Sequence, residues 1–153
     1  MLLVIGGLFF WGRVNQVASS ETPSGRASAL AAAETFYDFG TISMARGTVD
    51  KVFEITNPTD KDITLASLTT SCMCTTAFIV NGGTRRGPFG MPGHGAMPRV
   101  NETLVPGEYA DVEVVFDPAA HGPAGIGTVE RTVFLEYGGG KELTLGFKVL
   151  VTP

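Results

Sequence analysis

Apolar and polar residues alternate along most of the chain from residue 35 onward. In Ala110–Phe116 the residues at every second position are apolar, and Asp111 and Glu113 lie between them. A period of two is typical of a β-strand with one buried face and one solvated face. Strands with this pattern are predicted at Val49–Thr56, Ile63–Thr69, Ala110–Phe116, Val129–Tyr137 and Leu143–Val151.

Turn-forming residues stand where these alternating runs stop. The turn sequences are Asn57-Pro58-Thr59-Asp60, Val105-Pro106-Gly107-Glu108, Asp117-Pro118 and Gly138-Gly139-Gly140. Pro, Gly, Asn and Asp suit such positions because of their backbone preferences. Short strands separated by turns at this spacing predict an all-β fold, an antiparallel β-sandwich of about seven strands.

The first 34 residues do not share the alternating pattern. Residues 1–12 contain the apolar run MLLVIGGLFFW, which as a helix at ~1.5 Å per residue reaches about half of a ~30 Å hydrocarbon core. We expect residues 1–12 to be a signal segment or membrane anchor, with missing upstream basic residues as one explanation of its form. Residues 13–34 are rich in Ser and Ala and are predicted to be a flexible tether. The folded domain is therefore expected at 35–153, outside the cytoplasm.

The composition and the motifs argue against several classes of function. The 153 residues include 11 Lys and Arg against 15 Asp and Glu, a net charge of −4, and a nucleic-acid partner is not expected because phosphate binding needs a concentrated basic face. No spacing unites Ser or Cys with His and a carboxylate, and no glycine-rich phosphate motif is present. We predict a protein that is not an enzyme, has no small-molecule substrate, and contacts a membrane only through residues 1–12.

Four ordered motifs resemble the bacterial family called domain of unknown function 1573. They are Phe36–Ile42, Phe53–Asn57, Ser71–Thr76, and Pro106-Gly107-Glu108 before a strand that ends at Phe116-Asp117. The resemblance extends over about residues 35–153. It implies an immunoglobulin-like sandwich related to major sperm protein and ASH domains, in an exported bacterial protein without enzymatic activity. The family pattern has Gly between its two cysteines, where this chain has Met73.

Cys72 and Cys74 are separated by one residue. In an extended strand their Cα atoms would stand ~6.6 Å apart, near the upper end of the ~4.4–6.8 Å that a disulfide accepts. Three alternatives follow: both thiols pack as small apolar groups, they form a disulfide that is strained unless the chain turns there, or they ligate a soft metal ion.

The segment after the cysteines is unusually rich in glycine. Residues 81–99 have no strand pattern, and residues 81–105 are predicted to form one long loop. Within the loop Met91, His94 and Met97 are spaced three apart. Thioether, imidazole and thiolate groups together suit Cu(I), so Cys72, Cys74, Met91, His94 and Met97 form one candidate metal site.

The same loop carries Arg85, Arg86 and Phe89, which form a candidate surface for binding a protein partner. The leading functional hypothesis is an extracytoplasmic, non-enzymatic, immunoglobulin-like module that binds an unidentified protein or supports an envelope assembly and needs no cofactor. The alternative is a Cu(I)-binding carrier that uses the cysteine motif and the Met/His loop.

Overall fold

Two five-stranded sheets pack face to face. The computed structural model of the chain describes residues 29–94 and 99–153. The strands are β1 (Ala31–Ala32), β2 (Phe36–Ser43), β3 (Val49–Thr56), β4 (Ile63–Thr70), β5 (Thr75–Asn81), β6 (Thr84–Phe89), β7 (Glu102–Leu104), β8 (Tyr109–Phe116), β9 (Gly127–Tyr137) and β10 (Lys141–Thr152). One-turn 3₁₀ helices occupy Met44–Arg46 and Gly122–Gly125.

The strand order is β1-β3-β8-β5-β6 in the first sheet and β2-β10-β9-β4-β7 in the second. Every pairing is antiparallel except that of β2 with β10, which is parallel. The predicted all-β sandwich is confirmed. The predicted number of about seven strands is too low, because β1, β6 and β7 are short or lack an alternating pattern.

The core lies between the two inner sheet faces and follows the period of two. On β8 the residues alternate between buried and half-buried, and on β10 Leu145, Phe147 and Val149 are buried while their neighbours are less so. Phe147 contacts Phe116 from the opposite sheet at 5.3 Å and Phe39 at 5.4 Å between ring centroids. The contact of Phe147 with Phe116 joins the two sheets across the interior, and its contact with Phe39 lies within one sheet.

The predicted tether at 13–34 is wrong for its last residues. Ala31 and Ala32 pair with Thr56 and Ile55 of β3, and the side chain of Leu30 is 1% exposed. The Leu30 N–H also donates to the hydroxyl of Tyr137, 3.4 Å away. A single leucine among small residues has no periodic pattern, so its burial depends on the neighbouring sheets rather than on local sequence.

Substituting Leu30 with alanine is expected to lower the free energy of unfolding by about 2 kcal/mol, because a fully buried leucine leaves a cavity that a short terminal strand only partly closes. Urea unfolding followed by circular dichroism measures the effect. Leu150→Ala is the matched control, since Leu150 is 44% exposed and its loss is expected to cost well under 1 kcal/mol. Equal effects of the two substitutions would contradict a core role for Leu30.

The prediction of one loop at 81–105 is also wrong in part. Strand β6 pairs with β5 through a tight turn at Gly82 and Gly83, both with positive φ, and β7 pairs with β4. The pattern is hidden because β6 is an edge strand whose residues are exposed except for Phe89. The remaining connection runs from Gly90 to Asn101, and residues 95–98 lie outside the described structure.

The predicted signal or anchor segment at 1–12 lies outside the described residues. Among the residues that the structure describes, no helix is long and apolar enough to cross a membrane.

Candidate thiol and metal site

A tight turn between β4 and β5 carries the two cysteines. The N–H of Thr75 donates to the carbonyl of Cys72 at 3.1 Å, so the chain reverses instead of remaining extended. The buried hydroxyl of Thr70 lies 3.0 Å from the carbonyl oxygens of both Cys72 and Thr75. In an extended Cys-Met-Cys segment the two sulfurs would be held apart, whereas this turn allows them to approach each other.

Two further strands anchor this turn. Ser71 exchanges hydrogen bonds with Thr132 of β9: its N–H donates to the Thr132 carbonyl and its hydroxyl accepts from the Thr132 N–H, both at 2.9 Å. The N–H of Asp117, directly after β8, donates to the Cys74 carbonyl at 2.9 Å. The cysteine turn is thereby held by both sheets of the sandwich.

The connection from β8 to β9 brings a histidine to the cysteines. Asp117 starts a turn by accepting the Ala119 N–H on its side-chain oxygen at 2.8 Å, and the Gly122 N–H donates to the Ala119 carbonyl at 2.9 Å. Such side-chain-capped turns are typical of Asp before Pro. His121 lies inside this turn, exposed on the surface.

Three ligand-type atoms meet at this point. The Sγ of Cys72 and the Nε2 of His121 are 3.2 Å apart. The two sulfurs and one imidazole nitrogen of Cys72, Cys74 and His121 all lie within 4.8 Å of one another. Both cysteines are free thiols in this structure, 9% and 3% exposed.

Arg131 adds a positive charge beside the sulfurs. Its Nε donates to the Sγ of Cys74 at 3.3 Å, and its Nη1 donates to the Glu130 carbonyl at 2.7 Å. Arg131 is half-buried on β9. A guanidinium at this distance stabilises negative charge on sulfur.

The two thiols have different acidities. Burial raises the pKa of Cys72, but hydrogen bonds with the Cys74 thiol, with His121 and from the Cys74 N–H outweigh burial and lower that pKa from 9.0 to about 7. Burial and the neighbouring Cys72 raise the pKa of Cys74 despite the hydrogen bond from Arg131. Cys72 is therefore the more acidic thiol of the pair.

The structure brings together only part of the metal site proposed from sequence. Cys72 and Cys74 are adjacent, and Met73 between them is 55% exposed. Met91 and His94 lie in the turn after β6, where the His94 N–H donates to the Met91 carbonyl at 3.2 Å. Among the Cys, His, Asp and Glu side chains of the described residues, His94 does not join the cluster. Met97 lies outside the described residues.

The candidate partner-binding residues lie on strand β6 and not on a loop, with Arg85 and Arg86 exposed. Phe89 is 2% exposed and belongs to the core, so its side chain is not accessible to a partner. Arg85 forms a two-pronged ion pair with Glu113 and stacks on the ring of Phe78, and Arg86 pairs with Glu102.

His121 and Arg131 are the residues that sequence reasoning missed. His121 lies 49 residues from Cys72 in a turn-rich connection, and Arg131 lies 57 residues from Cys74 in a strand. The only signal for His121 was its place directly after a turn sequence at the end of a strand. No spacing rule relates such a residue to a cysteine turn on another strand.

A known protein family matches the segment of the chain that contains the two cysteines. Residues 30–84 match the family model described as protein of unknown function DUF1573. The resemblance predicted from the motifs is confirmed over this segment, which includes both cysteines and ends before His121 and Arg131. Among curated proteins, none matches this chain.

Solved structures resemble the whole sandwich. A protein of unknown function from Porphyromonas gingivalis W83 matches with a TM-score of 0.58 and 15% identity, covering 80% of this chain and 46% of its own. The ASH/PapD-like domain 7 of human CEP192 has a TM-score of 0.50 and 11% identity, with 99% and 98% coverage. The VesB protease of Vibrio cholerae has a TM-score of 0.50 and 21% identity, over 79% of this chain and 31% of the protease. At these identities the likeness shows an immunoglobulin-like fold, and this chain spans less than half of the bacterial proteins.

Proposed function

We propose that this domain binds one soft metal ion, Cu(I), through Cys72, Cys74 and His121. The observation that carries the proposal is the meeting of two thiol sulfurs and an imidazole nitrogen within 4.8 Å, on a turn tied to both sheets. Thiolate and imidazole are the side-chain ligands that favour soft or borderline ions over Mg²⁺ and Ca²⁺. The ligand set differs from the one predicted from sequence in using His121 in place of the Met/His loop.

Charge balance favours a monovalent ion at this site. Two thiolates around Cu(I) leave one negative charge, and the guanidinium of Arg131 lies 3.3 Å from the Cys74 sulfur, where it neutralises that charge. With a divalent ion the two thiolates would leave no net charge on the site, so the charge of the half-buried Arg131 would be uncompensated, which is unfavourable.

The number of ligands also favours Cu(I). Structural zinc sites use four protein ligands in a tetrahedron, and three-ligand zinc sites add a water, whereas the cluster among the described residues offers two cysteines, one histidine and no carboxylate. Cu(I) accepts two or three soft ligands. A three-ligand site at the surface, with an exposed histidine, also suits an ion that is passed to a partner.

Competition titration of the reduced full chain with Cu(I) and bicinchoninate tests the proposal. We expect one Cu(I) per chain and an affinity roughly a hundredfold lower in His121→Asn, from the loss of one of the three ligands. His94→Asn is the matched control and is expected to bind as the unchanged protein does. Weak binding without one-to-one stoichiometry would refute the proposal, and dependence on His94 instead of His121 would restore the ligand set predicted from sequence.

We further propose that the domain acts outside the cytoplasm. Support comes from the apolar residues 1–12 and from the resemblance to a family of exported bacterial proteins. Fractionation of the source cells, with mass spectrometry of the mature N-terminus, distinguishes cleavage from anchoring.

A second candidate function is protein binding by strand addition at β3. The β1 strand pairs only with Ile55 and Thr56, so the edge of β3 from Val49 to Glu54 has no partner strand among the described residues. Val52 on this edge is 46% exposed. A groove of about 330 Å³ beside the edge is lined by Tyr37, Phe39 and Val49 among others. The groove lining also includes the polar residues Arg46, Thr48 and Asp50. An open edge next to this mixed groove suits an extended segment of another envelope protein.

Val52→Lys is expected to weaken strand addition, because it adds a fourth charged residue to an edge stretch that already carries Asp50, Lys51 and Glu54. Pull-down from an envelope fraction compares this variant with the unchanged protein and with Leu150→Lys, an exposed leucine on the other sheet. A protein captured by Leu150→Lys but not by Val52→Lys supports the edge; equal capture by both variants argues against it.

A further inference from the structure

An open pocket lies next to the cysteine site. Its volume is about 340 Å³, at the lower end for small-molecule sites, and its lining includes His121, Arg131 and the exposed Ile126. His121 contacts the Cys72 sulfur and Arg131 contacts the Cys74 sulfur. A ligand in the pocket therefore lies beside the two side chains that touch the sulfurs. The lining contains two basic side chains, apolar surface, and no carboxylate among the described residues.

We propose that Cys72 and Cys74 carry out thiol–disulfide exchange with a small disulfide that bears carboxylates, bound in this pocket. The inference rests on the same cysteines as the proposed metal site but requires no metal. Its basis is the turn that brings two free thiols together, the unequal exposure of those thiols, and a cationic pocket open beside them.

The exchange has two steps. In the first, the Cys72 sulfur attacks one sulfur of the bound disulfide, a mixed disulfide forms, and the other half leaves as a thiol with the proton that His121 accepts from Cys72 at 3.2 Å. In the second, the Cys74 sulfur attacks Cys72, the Cys72–Cys74 disulfide forms, and the second half leaves as a thiol with the proton of Cys74. Two cysteine thiols are oxidised and one small disulfide is reduced to two thiols.

The order of the steps follows from the positions of the sulfurs. Cys72 is 9% exposed and contacts the exposed His121, whereas Cys74 is 3% exposed and lies against Arg131 and Thr75. Neither cysteine lines the pocket itself, and the exposed His121 connects the pocket to the Cys72 sulfur, so Cys72 is the sulfur assigned to the first attack. The carboxylates of the disulfide favour Arg131, whose guanidinium suits carboxylate geometry.

Reaction of the reduced, metal-free full chain with glutathione disulfide tests this chemistry. We expect the unchanged protein to lose both thiols together, with release of two glutathione molecules per chain. Cys74→Ser is expected to stop at a glutathionyl adduct, which peptide mass mapping assigns to Cys72. No adduct in Cys74→Ser, or an adduct in Cys72→Ser that forms at least as fast, would overturn the proposal.

Cystamine, a disulfide with amines and no carboxylates, tests the role of the pocket. Arg131→Gln is expected to slow the reaction with glutathione disulfide roughly tenfold relative to the reaction with cystamine, because the basic wall no longer attracts carboxylates. An unchanged ratio of the two rates would overturn the assignment of the pocket.

Failure of this inference is distinguishable from failure of the metal proposal. A chain that binds Cu(I) but does not exchange with glutathione disulfide refutes the exchange alone. A chain that exchanges but binds no Cu(I) refutes the metal site alone.

Discussion

The Cys72→Ser/Cys74→Ser variant is expected to bind Cu(I) roughly ten-thousandfold more weakly than the unchanged protein. Structural zinc sites with four ligands contribute about 10–16 kcal/mol of binding free energy, or about 3 kcal/mol for each ligand, and this variant loses two ligands. A serine hydroxyl is a hard oxygen donor and does not replace a thiolate for a soft ion. Competition with bicinchoninate at fixed reductant measures the loss. The single variants are each expected to lose roughly a hundredfold.

The fold of the double variant needs its own control. Both cysteines are buried, so a serine hydroxyl there carries a desolvation cost that an alanine does not. Cys72→Ala/Cys74→Ala is expected to lose Cu(I) to the same extent and to retain the β-sheet circular dichroism spectrum. Retention of stoichiometric Cu(I) binding by either folded double variant would rule out the cysteine site.

Asn57→Ala is expected to lower the free energy of unfolding by about 3 kcal/mol, because a buried carbonyl loses its donor and a turn loses its anchor. Asn57 is 0% exposed, and its Nδ2 donates to the carbonyls of Leu104 and Lys61, both at 2.8 Å. Its Oδ1 accepts from the N–H and the hydroxyl of Thr59 at 3.0 and 2.7 Å. One side chain thus ties the β3–β4 turn to β7.

Asn81→Ala is the matched control for Asn57. The Asn81 amide also donates twice, to Glu102 at 3.2 Å and to Glu108 at 2.9 Å, but this side chain is only half-buried, so water replaces the lost bonds. A cost of about 1 kcal/mol or less is expected. Urea unfolding of both variants measures the difference. Equal urea midpoints for the two variants would mean that the buried hydrogen bonds of Asn57 stabilise the fold no more than those of the half-buried Asn81.

The sequence predicted the sheets better than it predicted their edges. Strands such as β8 and β10 alternate regularly because one face of each packs on the core, and their residues were assigned correctly to that face. The edge strand β6 carries mostly exposed residues, so no alternation marks it. Leu30 was missed for a related reason: two residues of β1 are too few to establish a period.

The candidate site was also predicted only in the part that is close together in the sequence. Cys72 and Cys74 could be recognised from the sequence because they are separated by one residue. That spacing also indicated that a disulfide between them would be strained unless the chain turns there. The metal site predicted from sequence uses His94, which lies near two methionines in a glycine-rich segment. Linear proximity was the wrong guide here, since the β8–β9 connection carries His121 to the cysteine turn and the turn after β6 holds His94 elsewhere.

The sequence by itself determined the all-β sandwich, the faces of its regular strands and the two cysteines, because side-chain period and backbone preference are encoded over a few residues. The tertiary structure alone decided that His121 and Arg131 join those cysteines, that Phe89 is buried, and that a pocket lies between His121 and Arg131. These contacts join strands and connections tens of residues apart. Only the packing of the two sheets sets the distances between them.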